Sequence, residues 1–157
     1  MEGRFALGVA KKCIEWCNNY FGIDFPLKKC DLIAIDRFYA YAMENWGLIM
    51  FREEAILYDP EKTSSETKDN IALLIGHEVS HMWFGDLATM HWWSDIWLKE
   101  GVADFIMYLS IGELYPELQT WHHYQSDVLL QSMKMDALNS SHPIEIETLA
   151  PYGLNSM

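Results

Sequence analysis

The sequence has few of the residues that break or cross-link a chain. Its 157 residues include 9 glycines, 5 prolines and 3 cysteines, and half of all residues are apolar. This composition excludes a collagen-like or disordered chain and predicts one folded domain with a sizeable core. The cysteines Cys13, Cys17 and Cys30 fit neither a zinc-ribbon nor a redox spacing, so we expect buried, unpaired thiols.

Positive charge and long apolar runs are also scarce. Lysine and arginine total 11 against 23 acidic residues, giving a formal charge of −12, which excludes nucleic acid as the default partner. The longest apolar stretch, around residues 71–75, is far shorter than the roughly 20 residues of a membrane span, so we expect no transmembrane segment. The first residues do not resemble a secretory signal. Because the chain stops without an obvious closing element, we expect a segment of a longer protein.

Hydrophobic periodicity predicts the α+β class, with short strands followed by helices. Apolar residues recur at helical spacing over residues 5–20, in the order Leu7, Ala10, Ile14 and Cys17. We expect short strands in a mixed or antiparallel arrangement at residues 32–35, 47–51 and 55–58. Thr63 and Glu66 form a capping box for the next helix. The three later helices are predicted at residues 63–84, 94–111 and 116–137.

The pattern His77-Glu78-Val79-Ser80-His81 lies on the first of these later helices. At ~100° per residue, its two histidines lie about 40° apart on one helical face and can share one metal ion. Glu78 lies on the adjacent surface, where a carboxylate can take a proton from water activated by the metal. The alternative is a pair of ordinary core histidines.

A catalytic zinc site needs a third protein ligand, commonly a carboxylate. Eighteen residues separate His81 from Glu100 on the next predicted helix, and a helical hairpin could bring Glu100 to the histidines. Asp104 lies one turn further on and could accept a hydrogen bond from a ligand imidazole, although a solvated position is an equal alternative. We expect the neighbouring Lys99 to extend into water, and pairing with a carboxylate is the alternative.

Together these motifs resemble the gluzincin zinc aminopeptidases of the aminopeptidase N type, and more loosely their oxytocinase and puromycin-sensitive branches. The quoted motifs are Ala42-Met43-Glu44-Asn45-Trp46-Gly47, His77-Glu78-x-x-His81-x-Trp83-Phe84-Gly85 and Asp95-x-Trp97-Leu98-x-Glu100-Gly101. The resemblance implies a thermolysin-like zincin catalytic domain. Residues 1–157 would then form a partial metallopeptidase domain, truncated on its C-terminal side and separated from flanking domains of the parent protein.

The resemblance also implies the roles of the site residues. One zinc ion per chain would be held by the metal ligands His77, His81 and Glu100. Glu78 would be the general base, and Glu44 would receive the free α-amine of a peptide substrate, with Ala42 and Met43 also binding that substrate. The implied reaction is removal of N-terminal residues from peptides. A membrane-anchored, lumenal or extracellular parent is favoured over a cytoplasmic one.

The chain departs from the family pattern at several positions. Tyr41 replaces the first glycine of the motif around Glu44, where it could crowd the cleft or alter the backbone, and Lys99 replaces the usual asparagine. The family's downstream tyrosine is missing and Tyr152 does not match it, so residues 1–157 alone are expected to turn over poorly. The main alternative is a non-catalytic, zinc-stabilised peptide-binding module. The epoxide-hydrolysing branch of the superfamily is a third, less similar, possibility.

Overall fold

The computed structural model describes residues 2–147 and confirms the α+β class. Tyr152 lies outside the described residues. The strands are β1 (Asp31–Ile35), β2 (Ala42–Met43) and β3 (Leu48–Arg52). The helices are α1 (Arg4–Phe21), α2 (Glu53–Ile56), α3 (Ser65–Ser80), α4 (Ile96–Leu114), α5 (Thr120–His123) and α6 (Leu130–Asp136). Among residues 2–147, no helix combines the length and apolar character that a membrane span requires.

The first helix matches its prediction closely in extent. It ends where Gly22 adopts a left-handed conformation with φ of 63°, which glycine adopts without steric cost. The buried face is rotated from the predicted one, because Leu7 is 57% exposed while Val9 and Cys13 are fully buried. The helical period was therefore correct, but the choice of inward-facing residues was partly wrong.

The sheet is mixed, which is one of the two predicted arrangements, and is not purely antiparallel. Its strand order is β1-β3-β2, with β1 parallel to β3 and β2 antiparallel to β3. The sequence prediction missed β2, which is only two residues long and pairs Ala42 with Phe51. In β3, Ile49 and Phe51 are fully buried in the same core as α1 and α3. The small sheet therefore lies at the edge of the helical core, and β2 is one of its two edge strands.

The predicted strand at residues 55–58 is wrong, because α2 occupies the first half of that run and the second half belongs to no strand. Ala55 and Ile56 are buried there. A four-residue apolar run has no periodicity that separates a buried helix from a buried strand, so the burial could be predicted but the backbone conformation could not.

A close crossing of α3 and α4 brings the histidine helix and the Glu100 helix together. A Cβ atom at Gly76 would lie 2.9 Å from Cγ1 of Ile111, so only glycine permits this approach without a shift. Gly112 follows the predicted end of the Glu100 helix at residue 111 but lies inside α4, where a Cβ would meet Oγ1 of Thr120 at 3.0 Å. Both glycines therefore permit close packing between elements.

Helix ends account for the remaining differences. Ser64, and not Thr63, caps α3 by accepting a hydrogen bond from the Thr67 amide. This helix ends at Ser80, four residues before the predicted end. The predicted helix at residues 116–137 is interrupted: a 3-10 turn is followed by Gln119 with φ of 48°, and residues 124–129 form a π-helix between α5 and α6. The sequence contains no proline or glycine that would have marked these interruptions.

The predicted free thiols are confirmed, and their reactivity should differ. Cys13 and Cys17 are fully buried and Cys30 is half-buried. Burial raises the pKa of Cys13 to about 12 and also raises that of Cys17, which keeps both in the unreactive thiol form.

At pH 8 we expect a maleimide to label Cys30 first, and the other two cysteines only after unfolding, as mass spectrometry can measure. A Cys30→Ser variant should lose the early label. Rapid labelling of Cys13 in the folded protein would contradict this expectation.

Candidate metal centre

Two imidazoles from the C-terminal end of α3 point their Nε2 atoms at each other, 3.0 Å apart. The Nδ1 atom of His77 lies 2.7 Å from Oδ1 of Asp104, and Nδ1 of His81 lies 3.2 Å from the Phe84 carbonyl oxygen. A carboxylate and a carbonyl can only accept hydrogen bonds, so each Nδ1 atom carries a proton. In the neutral rings, both Nε2 atoms are therefore left with lone pairs for a cation.

The third corner of this cluster comes from α4. Oε2 of Glu100 lies 3.2 Å from Nε2 of His77 and 3.3 Å from Nε2 of His81. Three atoms arranged tetrahedrally about a zinc ion at 2.0–2.1 Å would be separated by about 3.3–3.4 Å. The three observed separations are close to this value, so His77, His81 and Glu100 fit a zinc ion and could hold one.

The charges of the cluster show the same preference for a cation. Without a metal, a proton takes its place: burial alone would lower the pKa of His77, but its hydrogen bonds to Asp104 and Glu100 outweigh burial and raise that pKa to about 10. A metal ion would displace this proton from Nε2 of His77. Burial opposes ionisation of Glu100, yet its contacts with both histidines and Lys99 hold its pKa well below the usual range. Three lone-pair-bearing atoms this close repel one another unless positive charge lies among them.

Glu78 is next to this cluster but is not one of its corners. The residue is only 5% exposed, and its Oε2 atom is buried without a hydrogen-bond partner among the described residues. Burial raises its pKa to about 8, with the negative charges of Glu44 and Glu100 adding to the effect. A buried carboxylate with an open oxygen and a raised pKa is well suited to accept a proton.

Glu44 directly follows the edge strand β2 and is 8% exposed. Lys99 donates a hydrogen bond to its Oε1 atom, and this contact holds the pKa of Glu44 below its usual value even though burial opposes ionisation. The lysine side chain is 13% exposed. The expectation that Lys99 extends into water was therefore wrong: its ammonium group is paired with the carboxylates of Glu44 and Glu100, which was the alternative.

Gly85 allows His81 and Lys99 to pack side by side. Its φ of 142° lies in a region that favours glycine, and a Cβ atom there would be 3.1 Å from both Nδ1 of His81 and Cε of Lys99. Gly85 follows the predicted helix end at residue 84, but α3 ends at Ser80, so this glycine does not cap it. Its packing role depends on a tertiary contact and gave no signal in the sequence.

Tyr41 borders the open pocket that also includes His77, Glu78 and Asp104. Its side chain is 54% exposed, and its φ is not in the positive range, so the backbone there is one that any residue adopts. The expectation that Tyr41 could crowd the cleft fits its position. The expectation that Tyr41, in place of the family's glycine, could alter the backbone is not met by a left-handed conformation at this position.

Two further residues support the site without having been predicted. The guanidinium group of Arg52 donates hydrogen bonds to the carbonyl oxygens of Phe38, Tyr39 and Ala40, which fixes the segment that leads into β2. Asp86 has a buried Oδ2 atom without a partner among residues 2–147, and burial near Glu44 raises its pKa to about 6. Neither residue belongs to a recognisable local motif.

Comparison with known proteins agrees with this geometry. The sequence profile of the peptidase family M1 domain matches residues 5–156. The chain belongs to peptidase family M1. This M1 chain is 49% identical over 156 residues to a puromycin-sensitive aminopeptidase from Caenorhabditis elegans, with 99% of the chain covered. The resemblance to aminopeptidases that we stated from the motifs is confirmed.

Other relatives of this M1 chain carry related names. An aminopeptidase M1 from Arabidopsis thaliana is 42% identical over 93% of the chain, and endoplasmic reticulum aminopeptidase 1 from Rattus norvegicus is 44% identical over 99%. The chain spans only 16–17% of the length of these three relatives. One name states a compartment and the other two do not, so the localisation of this protein stays a prediction.

Proposed function

We propose that this chain carries the metal site and amine-recognition site of a zinc-dependent aminopeptidase. The observation that supports it most strongly is the convergence of two Nε2 atoms and one carboxylate oxygen, with a second buried carboxylate beside them. The names of the M1 relatives support the reaction class, which is hydrolysis of the N-terminal peptide bond. A thermolysin-like arrangement, the partial domain over residues 1–157 and a membrane-anchored, lumenal or extracellular parent remain predictions.

His77, His81 and Glu100 are the residues that would hold the zinc ion. When bound there, zinc supplies Lewis-acid activation of a water molecule and of the substrate carbonyl. Asp104 holds His77 in the tautomer that presents Nε2, and the Phe84 carbonyl does the same for His81. These outer contacts fix the ring orientations before a metal binds.

Glu78 acts as the general base in this proposal. Its carboxylate accepts the proton of the attacking water and later delivers that proton to the leaving amine, so no covalent intermediate is required. The open Oε2 atom suits both transfers, because no hydrogen-bond partner among the described residues has to be displaced when it takes or gives the proton.

Glu44 recognises the α-ammonium group of the substrate. A buried ammonium requires an anionic partner. A carboxylate at a fixed distance from the metal would place the first peptide bond of the substrate, and no later one, at the metal. The outer edge of β2 adds main-chain groups of Ala42 and Met43 that can pair with an extended peptide. This arrangement accounts for an exopeptidase specificity.

The test isolates the amine of the substrate. In the whole zinc-loaded protein, acetylating the α-amine of a peptide should abolish most of its cleavage, because a neutral amide cannot form the charged pair with Glu44. Glu44→Gln should reduce kcat/KM for the free peptide by about 10- to 100-fold, while Glu15→Gln, at an exposed site on α1, should not. Efficient hydrolysis of the acetylated peptide by the unmutated protein would refute the proposal.

One observation favours the non-catalytic peptide-binding module as a second candidate. The ring of Tyr41 borders the pocket beside His77 and Glu78, where it can hinder a productive substrate position. Binding of zinc and peptide without turnover by the whole protein, restored by Tyr41→Gly, would support this candidate. The low turnover expected of residues 1–157 alone is likewise a prediction.

A further inference from the structure

Lys99 lies between the proposed amine-recognition residue and the proposed metal ligand. Its Nζ atom donates hydrogen bonds to Oε1 of Glu44 and, at 2.8 Å, to Oε1 of Glu100. The side chain packs against Gly85 and is 13% exposed. This lysine is therefore a largely buried cation that forms part of the site.

The ammonium group of Lys99 and the α-ammonium of a peptide have the same chemistry. Each carries one positive charge and N–H donors that favour a carboxylate. Glu44 can give its full electrostatic interaction to only one of them, since a second cation nearby is repelled by the first. The lysine therefore offers Glu44, from within the chain, the same interaction as a substrate.

We propose that Lys99 is a specificity-determining residue that competes with the substrate amine for Glu44. This inference rests on the proposed amine-recognition role of Glu44. An incoming ammonium must displace the lysine from Oε1 of Glu44 or bind beside it against its charge, and both lower the affinity for amine ligands. Ligands without a charged amine meet no such competition.

The contact with Glu100 makes this displacement feasible. When a ligand amine takes Glu44, Lys99 can keep its hydrogen bond to Oε1 of Glu100, so its charge is never left without a carboxylate. Oε2 of Glu100 is the atom that faces the two histidines. The lysine thus binds Oε1 of Glu100, the oxygen that does not face the histidines. It can therefore exchange Glu44 for Glu100 as its main partner without disturbing the metal cluster.

The experiment compares a charged and a neutral ligand of the same shape. NMR titration would give the dissociation constants of isopentylamine and 3-methylbutan-1-ol at pH 7, with both the zinc-free and the zinc-loaded whole protein. Lys99→Met removes the charge at similar length and should tighten binding of the amine about tenfold or more. Binding of the alcohol should change by less than about twofold. A merely structural role for Lys99 would change both ligands alike.

Two variants separate the possible failures. Lys62→Met removes an exposed lysine that is paired with Asp59, and it should change neither ligand. Glu44→Gln should weaken binding of the amine both in the otherwise unmutated protein and in the Lys99→Met variant. If Glu44→Gln weakens amine binding but Lys99→Met does not tighten it, the competition is refuted and the role of Glu44 stands.

If Glu44→Gln has no effect, the proposed amine recognition fails, and the competition fails with it. Lys99→Gln provides a second neutral variant with the same expected result, should Lys99→Met fail to fold. In activity assays the tighter binding should appear as a lower KM for peptides with a free amine. An unchanged KM in both neutral variants would overturn the inference.

Discussion

Glu78→Gln is expected to lower kcat for peptide hydrolysis by about 10²–10⁴-fold while leaving zinc binding nearly unchanged. Glutamine has almost the same shape as glutamate but cannot accept the proton of the attacking water. Because Glu78 lies beside the histidine cluster and is not one of its corners, the metal should remain. Steady-state kinetics and elemental analysis of the whole protein would measure the two effects separately.

A matched change supports the interpretation of this variant. Glu15 is exposed and is paired only loosely with Lys11, 3.8 Å away, so Glu15→Gln should leave both kcat and zinc content unchanged. Turnover by the Glu78→Gln variant within about threefold of the unmutated protein would show that another group is the base. Loss of zinc from that variant would show instead that Glu78 helps to hold the metal.

Glu100→Ala should weaken zinc binding by more than about 100-fold. Losing an outer hydrogen-bond partner of a metal ligand typically costs 10- to 100-fold in affinity, and removing a ligand atom itself must cost more. The change also leaves Lys99 without one of its two carboxylates. Competition with a fluorescent zinc chelator would give the dissociation constants.

Asp104→Ala provides the graded comparison. It removes the acceptor that orients His77 but leaves every corner of the cluster in place, so we expect a loss of only about 10- to 100-fold in zinc affinity. An equal loss in the Asp104 and Glu100 variants, or no loss in the Glu100 variant, would contradict the proposed roles.

The sequence predicted the fold correctly where a periodic segment was long. The prediction failed where segments were short. Helix α1 has eighteen residues, so its period stands out from noise. Strand β2 has two, and its pairing with β3 depends on partners distant in sequence. The parallel pairing of β1 and β3 could not be predicted either, because alternation within a strand carries no information about the direction of its neighbour.

The sequence predicted those parts of the site in which neighbouring site residues lie on the same helix. The four-residue spacing of His77 and His81 fixes their common face, and the helical turn from Glu100 to Asp104 puts both near His77. The roles of these residues remain predictions. The contacts of Lys99 with Glu44 and of Arg52 with the segment before β2 join distant parts of the chain, so local spacing gives no sign of them.

Zinc K-edge X-ray absorption of the zinc-loaded whole protein tests the central claim most directly. We expect one zinc ion per chain with only nitrogen and oxygen neighbours at about 2.0–2.1 Å and the outer-atom scattering of two imidazoles. His77→Ala should remove one imidazole from that signal. A sulfur shell at about 2.3 Å, which would place the metal on cysteine, or the absence of stoichiometric zinc would contradict the account.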